Sequence, residues 1–486
     1  MQKNTHQNLI SRAAVPLLGV VLLGTLPVIS ATRVDADAQP VDEFAKITVD
    51  SPTSTPPAGQ APQKPEEKTA LWRPLLLGAQ STIIGQHLFP LRSPYSSNLS
   101  LRTDGDTQTT KTFGAYFGMA LARNLQAYLD FEMFKGAGIS NATGLGGLTD
   151  GDVVREGAND LGKGPYVARK YLRYMLPLHD DTRDVSRTQD QLPGKEALSR
   201  LEVKAGTMAV VDDFDRNRYA NSPRTQFQNW SLMNNAAWDF NADTRGFTNG
   251  VMVGYIRPDW ALRFGVYQMP SKANGQDLDA PLGKARGENL ELTLQPGSHE
   301  TAVRLLAYRN IARMGVYRDA IARGIAQGLP PDIVADDKDG RRKYGFGINL
   351  EQPLADDGES GLFARLGWND GKTETFAFTE VDRTVTLGAQ VAGNRWGRAA
   401  DRLGVAFVVN GLSADHRDYL AAGGQGFVIG DGALNYGTER ILEGYYRMQL
   451  GKYAHLGPDV QYIQNPGYNR DRDPAVVVSL RLHLEY

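Results

Sequence analysis

From residue 476 to the end of the chain, Val476, Val478, Leu480, Leu482, Leu484 and Tyr486 alternate with Val477, Ser479, Arg481, His483 and Glu485. A period of two puts successive side chains on opposite faces, so this segment predicts a strand with one apolar and one polar face. The alternation recurs in Leu125-Gln-Ala-Tyr-Leu-Asp-Phe-Glu-Met133, Ala261-Leu-Arg-Phe-Gly-Val-Tyr-Gln-Met269 and Asn289-Leu-Glu-Leu-Thr-Leu294, and around 445–450. Sixteen strands are predicted, near 75–86, 111–121, 125–134, 166–176, 199–210, 247–256, 261–270, 288–295, 300–310, 343–352, 361–369, 384–392, 403–412, 438–450, 458–464 and 475–486. Tight turns such as Ala122-Arg123-Asn124, Arg257-Pro258-Asp259-Trp260 and Gly451-Lys452 follow even-numbered strands. Long connections (135–165, 211–246, 311–342 and 413–437) follow odd-numbered ones.

A soluble antiparallel sandwich alternates in the same way. Three further features favour a membrane: strands of about ten residues, which span a tilted bilayer crossing, the regular exchange of short and long connections, and a last strand that ends on an aromatic residue. Lipid supplies no hydrogen bonds, so a β-structure within it must pair every strand and leave no edge. The expected fold class is therefore all-β, a transmembrane antiparallel barrel of about 16 strands with short periplasmic turns and long extracellular loops. A barrel of that size is too wide for its side chains to fill, which leaves an aqueous channel.

Composition agrees. The chain has 486 residues, 41% hydrophobic and 22% charged, with no cysteine and a formal net charge of −2. Its mean hydropathy of −0.38 argues against a bundle of apolar helices but not against strands that are only half apolar. The charge balance argues against nucleic acid as a partner, and the missing cysteines rule out disulfides and thiolate chemistry. Lys3, His6 and Arg12 precede an apolar run from 13 to 29, and a small-residue Ala36-Asp37-Ala38 site follows. That arrangement predicts a secretory signal peptide over 1–38. A Pro-, Ser- and Thr-rich stretch has little to bury and is expected to be a flexible periplasmic spacer over 39–70, which leaves 71–486 for the barrel.

If the apolar set faces lipid, the other set faces the lumen: Gln126, Tyr128, Asp130 and Glu132, then Arg169, Tyr171 and Arg173, then Arg263 and Tyr267. Arg304, Tyr308, Arg365, Tyr445 and Arg447 share that phase, with Glu443 and Gln449 beside the last two. Both charge signs are interleaved with tyrosines. An anion pore would show a one-sided basic lining. A mixed lining suits a neutral, hydroxyl-dense solute, because sugar hydroxyls both donate and accept and a pyranose ring can rest on an aromatic face. The loop 211–246 is dense in charge, amide and aromatic residues, which leaves two readings: an ordered segment folded inward to narrow the pore, or a solvated cap on the outer surface. The pairs Asp104/Asp106, Asp150/Asp152 and Asp213/Asp215 match no complete calcium loop and are expected to be solvated carboxylates.

At Tyr166-Val-Ala-Arg-Lys-Tyr-Leu-Arg173, loop 211–230 with Asn234-Asn-Ala-Ala-Trp-Asp239, Arg257-Pro-Asp-Trp-Ala-Leu-Arg-Phe-Gly265, Tyr344-Gly-Phe-Gly-Ile-Asn-Leu-Glu351 and Gln461-Tyr-Ile-Gln-Asn-Pro-Gly-Tyr-Asn-Arg-Asp-Arg472, the chain resembles the carbohydrate-selective porins of the OprB type. The resemblance covers roughly 71–486, although family members often end in Phe rather than Tyr. It implies a sixteen-stranded outer-membrane barrel passing mono- and disaccharides by facilitated diffusion, with charged residues at the constriction. That role carries over to Arg169, Arg173, Asp213 and Arg216.

Catalytic alternatives find little support. Gly358-Glu-Ser-Gly361 lacks the nucleophile-elbow spacing, the seven histidines are scattered, and no zinc motif occurs. His416 beside Asp415 and Asp418 is expected to be a solvated loop histidine rather than a catalytic pair. The glycine-rich stretches 144–151 and 422–432 do not link a strand to a helix, as a phosphate-binding loop would. A polysaccharide export channel, a general diffusion porin and a purely structural barrel are the competing readings. The expected protein is a bacterial outer-membrane porin without cofactor or metal. Its expected partners are small neutral sugars, outer-membrane lipid and lipopolysaccharide, and the barrel-assembly machinery acting on the strand that ends in Tyr486. A homotrimer is compatible with this reading.

Overall fold

The computed structural model describes residues 75–152, 164–296 and 300–486. The predicted signal peptide and spacer lie outside these residues. The strands in chain order are β1 (Leu75–Leu88), β2 (Asp106–Ala122), β3 (Leu125–Lys135), β4 (Tyr166–Pro177), β5 (Thr182–Val185), β6 (Gly194–Ala197), β7 (Arg200–Met208), β8 (Thr248–Ile256) and β9 (Trp260–Tyr267). They continue as β10 (Arg286–Leu294), β11 (Ala302–Met314), β12 (Lys338–Ala355), β13 (Ser360–Asn369), β14 (Arg383–Ala392), β15 (Arg402–Gly411), β16 (Glu439–Leu450), β17 (Ala454–Gln464) and β18 (Ala475–Glu485).

All but β5 and β6 form one closed antiparallel barrel of sixteen strands, each paired with its chain neighbour in the wall. β18 closes against β1, with Ile84 opposite Arg481 and Ile83 opposite Leu482. Closure pairs the backbone groups that an open sheet would leave bare in lipid. The predicted strands match the observed ones to within a few residues, with phase preserved. Arg481 and His483 are buried on the inner face, whereas Leu480 and Leu484 are exposed on the outer one. The outer wall is an apolar band in which Phe117, Val253, Phe346, Leu387 and Val460 are each about half exposed, as a lipid-facing surface requires. Among the described residues no helix is long and apolar enough to cross a membrane.

The turn between β12 and β13 runs through Asp356, Asp357 and Gly358, all in the left-handed region. Aspartate and glycine are among the few residues that adopt this conformation readily. One connection on the short-turn rim departs from the expected pattern. Residues 178–199, between β4 and β7, carry the hairpin β5–β6 and pack Leu192, fully buried, beside Tyr128 and Met175. Two loops on the opposite rim hold helices that the hydrophobic pattern does not predict: α2 (Tyr317–Gln327) and α3 (Ala414–Ala421), after the short α1 (Trp230–Met233).

Candidate functional site

The segment between β7 and β8, residues 209–247, lies inside the barrel and spans it. A loop in that position has no ladder to satisfy its backbone, and buried amides and carbonyls must be paired. The inward faces of the strands supply the partners. Glu291 of β10 accepts from the Asp215 amide (2.7 Å), Glu351 of β12 from Arg218 (2.9 Å), and Glu443 of β16 from Gln228 and, at 3.0 Å, from Asn229. Carbonyls are met by arginines. Arg365 of β13 donates to Leu232 (2.9 Å) and Ala220 (2.8 Å), and Arg481 of β18 to Pro223 (2.7 Å) and Gln226 (2.6 Å). Phe214, Trp238 and Phe240 fill the remaining space against Tyr267 and Tyr308.

Much of the inward charge therefore holds the loop. Arg365 and Tyr445, read from strand phase as lumen-facing, are buried at 1% exposure each. Tyr308, also buried, donates to the Ala237 carbonyl at 2.9 Å. Tyr267 faces inward but is fully buried, with Phe214 6.4 Å from its ring. Asp130 is likewise buried, behind Arg169 at 3.5 Å. Neither Asp130 nor Tyr267 borders the open space, because phase assigns a face but not what is packed upon it.

What stays open is a cavity of ≈ 990 Å³ on the β3–β4–β7 side, walled from Phe378 and Phe427 at the loop rim to Arg183 and Glu485 at the turn rim. Seven of the nine predicted lining residues border it: Glu132, Arg169, Tyr171, Arg173, Asp213, Arg216 and Arg263. Much of its wall is built from ion pairs. Arg169 forms a two-pronged bond to Asp212 (2.8 Å for each prong) and has Asp190 of the turn-rim connection 3.5 Å away. Arg173 bonds Glu202 and Glu196 at 2.7 Å each. Lys204 bonds Asp213 at 2.6 Å, and Arg224 bonds Asp152 (2.6 Å) and Glu132 (2.9 Å). Tyr171 stacks on Tyr128 at 5.0 Å. Arg263 reaches Thr293 at 3.2 Å.

Arg216 differs from the rest. It is exposed within the cavity and forms no side-chain hydrogen bond or ion pair among the described residues. Burial alone would raise the Asp212 carboxyl, but Arg169 and then Lys204 outweigh it and hold its pKa below the usual range. For Asp190, across the same guanidinium, burial dominates and its pKa is raised. Aromatic side chains also line this cavity, among them Trp230, Phe240 and Phe378. Trp230 stacks on Phe378 at 5.9 Å, and Phe240 lies 4.9 Å from Phe378.

Sequence reasoning missed Asp190, Lys204, Glu202 and Glu196 as wall residues, whereas Asp212 and Arg224 stand out only as part of the charge-dense loop 211–246. For Lys204 and Glu202 the signal was present, since they share a face on β7. For Asp190 and Glu196 it was not, because nothing marked 178–199 as folding inward. The carboxylates of the D-x-D pairs are mostly paired rather than solvated: Asp152 with Arg224, Asp213 with Lys204 and Asp215 with Arg365 at 3.0 Å. His416 is neither solvated nor paired with its chain neighbours. It is fully buried, 3.1 Å from Asp382 and 3.8 Å from Glu380, and stacked on Tyr317. Asp415 and Asp418 bind Arg318 instead.

Comparison with known proteins places these features. The curated protein "Putative porin QuiX" of Acinetobacter baylyi is 25% identical over 310 residues, 59% of this chain and 66% of that protein, just under two thirds of its length. The high-pH structure of Pseudomonas putida OprB superposes with a TM-score of 0.62 at 16% identity, over 85% of this chain and 94% of that one, a likeness of fold. The description "Carbohydrate-selective porin, OprB family" matches residues 100–486. With that match over most of its length and a closed sixteen-stranded wall around a charged cavity, the chain belongs to the OprB family of carbohydrate-selective porins, channels of the bacterial outer membrane.

Proposed function

We propose that this porin passes small neutral sugars by facilitated diffusion through the ion-paired ring of Arg169, Arg173, Lys204 and Arg224, and that this ring with Arg216 is its binding site. The carrying observation is that each ring cation has a carboxylate within 3 Å: Asp212, Glu202, Asp213 and Asp152, respectively. Paired charges leave little net field to collect a free anion, yet they offer donors and acceptors on every side. A sugar hydroxyl exchanges water for both kinds of partner at little cost. Trp230, partly exposed at the cavity wall, supports entry by offering an aromatic surface to a pyranose ring. Weak contacts in series favour entry and still permit exit.

The in-folded loop and the 178–199 hairpin both narrow the bore, which favours short solutes over an exported polymer and selectivity over general diffusion. No catalytic role is assigned, since His416 packs inside the loop layer. Insertion is proposed to use β18, whose outer face ends at Tyr486. The test is block of ion current by neutral sugars in planar bilayers. Arg216→Ala should weaken block several-fold and shift ion selectivity toward cations. Unchanged block and unchanged selectivity together would remove Arg216 from the site.

A further inference from the structure

Just beyond its apolar band on the long-loop side, the outer wall turns basic. Along β12 the outward residues run Ile348, Phe346, Tyr344 and then Arg342. Tyr344 stands 5.8 Å from Trp368, at the edge of the band. Arg342 is opposite Ile311 of β11, and Ile311 is opposite Arg286 of β10. Directly paired residues share a face, as do residues two apart on one strand, so Arg309 points the same way. Arg313, at a register irregularity, is exposed between the buried Ala312 and Met314 and also faces outward. Four guanidinium groups thus surround one outward isoleucine, which is only 7% exposed, as expected beneath the aliphatic stems of its neighbours.

These cations are under-neutralised. Arg286 and Arg309 share a single carboxylate, Glu288, each through a 2.8 Å bond. Arg313 approaches Asp339 only to 3.9 Å, with both side chains more than half exposed. Arg342 is exposed and makes no side-chain hydrogen bond or ion pair among the described residues. The strand rise places Arg342 about 7 Å beyond Tyr344, and two strand spacings separate Arg286 from Arg342 by about 10 Å. That is headgroup depth on the outward-facing leaflet, since aromatic girdles mark the interface and long loops the extracellular side. These residues face away from the pore, so sugar passage gives them no role.

We propose that Arg286, Arg309, Arg313 and Arg342 form a binding site on the outer wall for the phosphate groups of lipid A. Planar guanidinium forks match phosphate oxygens two at a time. A cluster about 10 Å wide can hold two phosphates of one headgroup, with its acyl chains lying along Tyr344, Phe346 and Ile348.

The test compares binding of bis-phosphorylated and mono-phosphorylated lipid A to the folded protein in detergent, by native mass spectrometry. An exposed arginine near anionic lipid carries about a fivefold change in affinity, so the pair Arg313→Gln and Arg342→Gln should weaken bis-phosphorylated lipid A by about 25-fold. The mono-phosphorylated form should bind the native protein more weakly than the bis-phosphorylated one. Arg257→Gln, on the opposite rim, should change nothing, and sugar block of current should stay native in all variants. Arg342→Gln alone, which removes no bond, should give about a fivefold loss and serves if the double variant assembles poorly. Unaltered lipid A affinity in the arginine variants, or an equal loss in Arg257→Gln, would overturn the site.

Discussion

Replacing Arg365 by methionine tests whether the in-folded segment rather than the barrel wall sets the width of the pore. Arg365 is 1% exposed. It forms an ion pair with Asp215 at 3.0 Å and donates to the carbonyls of Leu232, Ala220 and Asp215 at 2.9, 2.8 and 3.2 Å. Methionine keeps an unbranched stem of similar reach but none of the donors. Asp215 retains the Asn235 amide at 2.7 Å and the Asn349 side chain at 2.8 Å, so its charge is not wholly stranded. Removing one partner of a buried ion pair costs about 3–5 kcal/mol, which multiplies the released population of the segment by between about one hundred and a few thousand. The sixteen-strand ladder is untouched, so the loss falls on the segment. Single-channel recording should show higher conductance with frequent steps between levels. Native conductance and noise in a variant that still migrates as a folded barrel would refute the idea that this segment closes the lumen.

Three further outcomes are expected. Leu387→Arg, on the outer face of β14 and 61% exposed, should cost about 2–4 kcal/mol near the bilayer centre and lower the yield of folded protein in outer membranes; normal assembly would mean this strand's phase is misassigned. Glu196 accepts from Arg173 at 2.7 Å and Arg183 at 2.8 Å and lies 3.2 Å from Arg200, so Glu196→Gln should loosen the 178–199 hairpin and raise conductance, with unchanged current as the contrary result. Burial would raise the Asp382 carboxyl, but His416 and then Lys343 and the Ser413 amide hold its pKa at about 2. An unfolded aspartate titrates near 3.9, so this contribution is complete above about pH 4 and lost toward pH 2. Asp382→Ala at neutral pH should likewise free α3 for tryptic cleavage at Arg417, and a protected Arg417 would count against it.

The strands were legible because lipid enforces the period-two pattern on the outer face, and their phase held from β3 to β18. The cavity wall was partly legible: Arg169, Arg173 and Arg216 stood out through charge in matched stretches. Alternation could not tell Arg173, beside open space, from Arg365, buried under a loop, since both face inward. The clue to loop anchoring was present but subtle. Glu291, Glu351 and Glu443 are carboxylates on inward faces, and the segment 209–247, without strand periodicity, has backbone amides that need such acceptors. The 178–199 hairpin and helices α2 and α3 left weaker traces. Each is short and held by tertiary contacts, such as Leu192 against Tyr128 or His416 against Tyr317, rather than by a repeating pattern.

The central claim is that a neutral sugar binds in the charged ring during passage. Ion current through single channels in a planar bilayer, titrated with glucose, maltose and a charged sugar acid, tests it most directly. Saturable block by the neutral sugars, weakened in Arg216→Ala, is the predicted result. Conductance that no neutral sugar blocks at any concentration would contradict it.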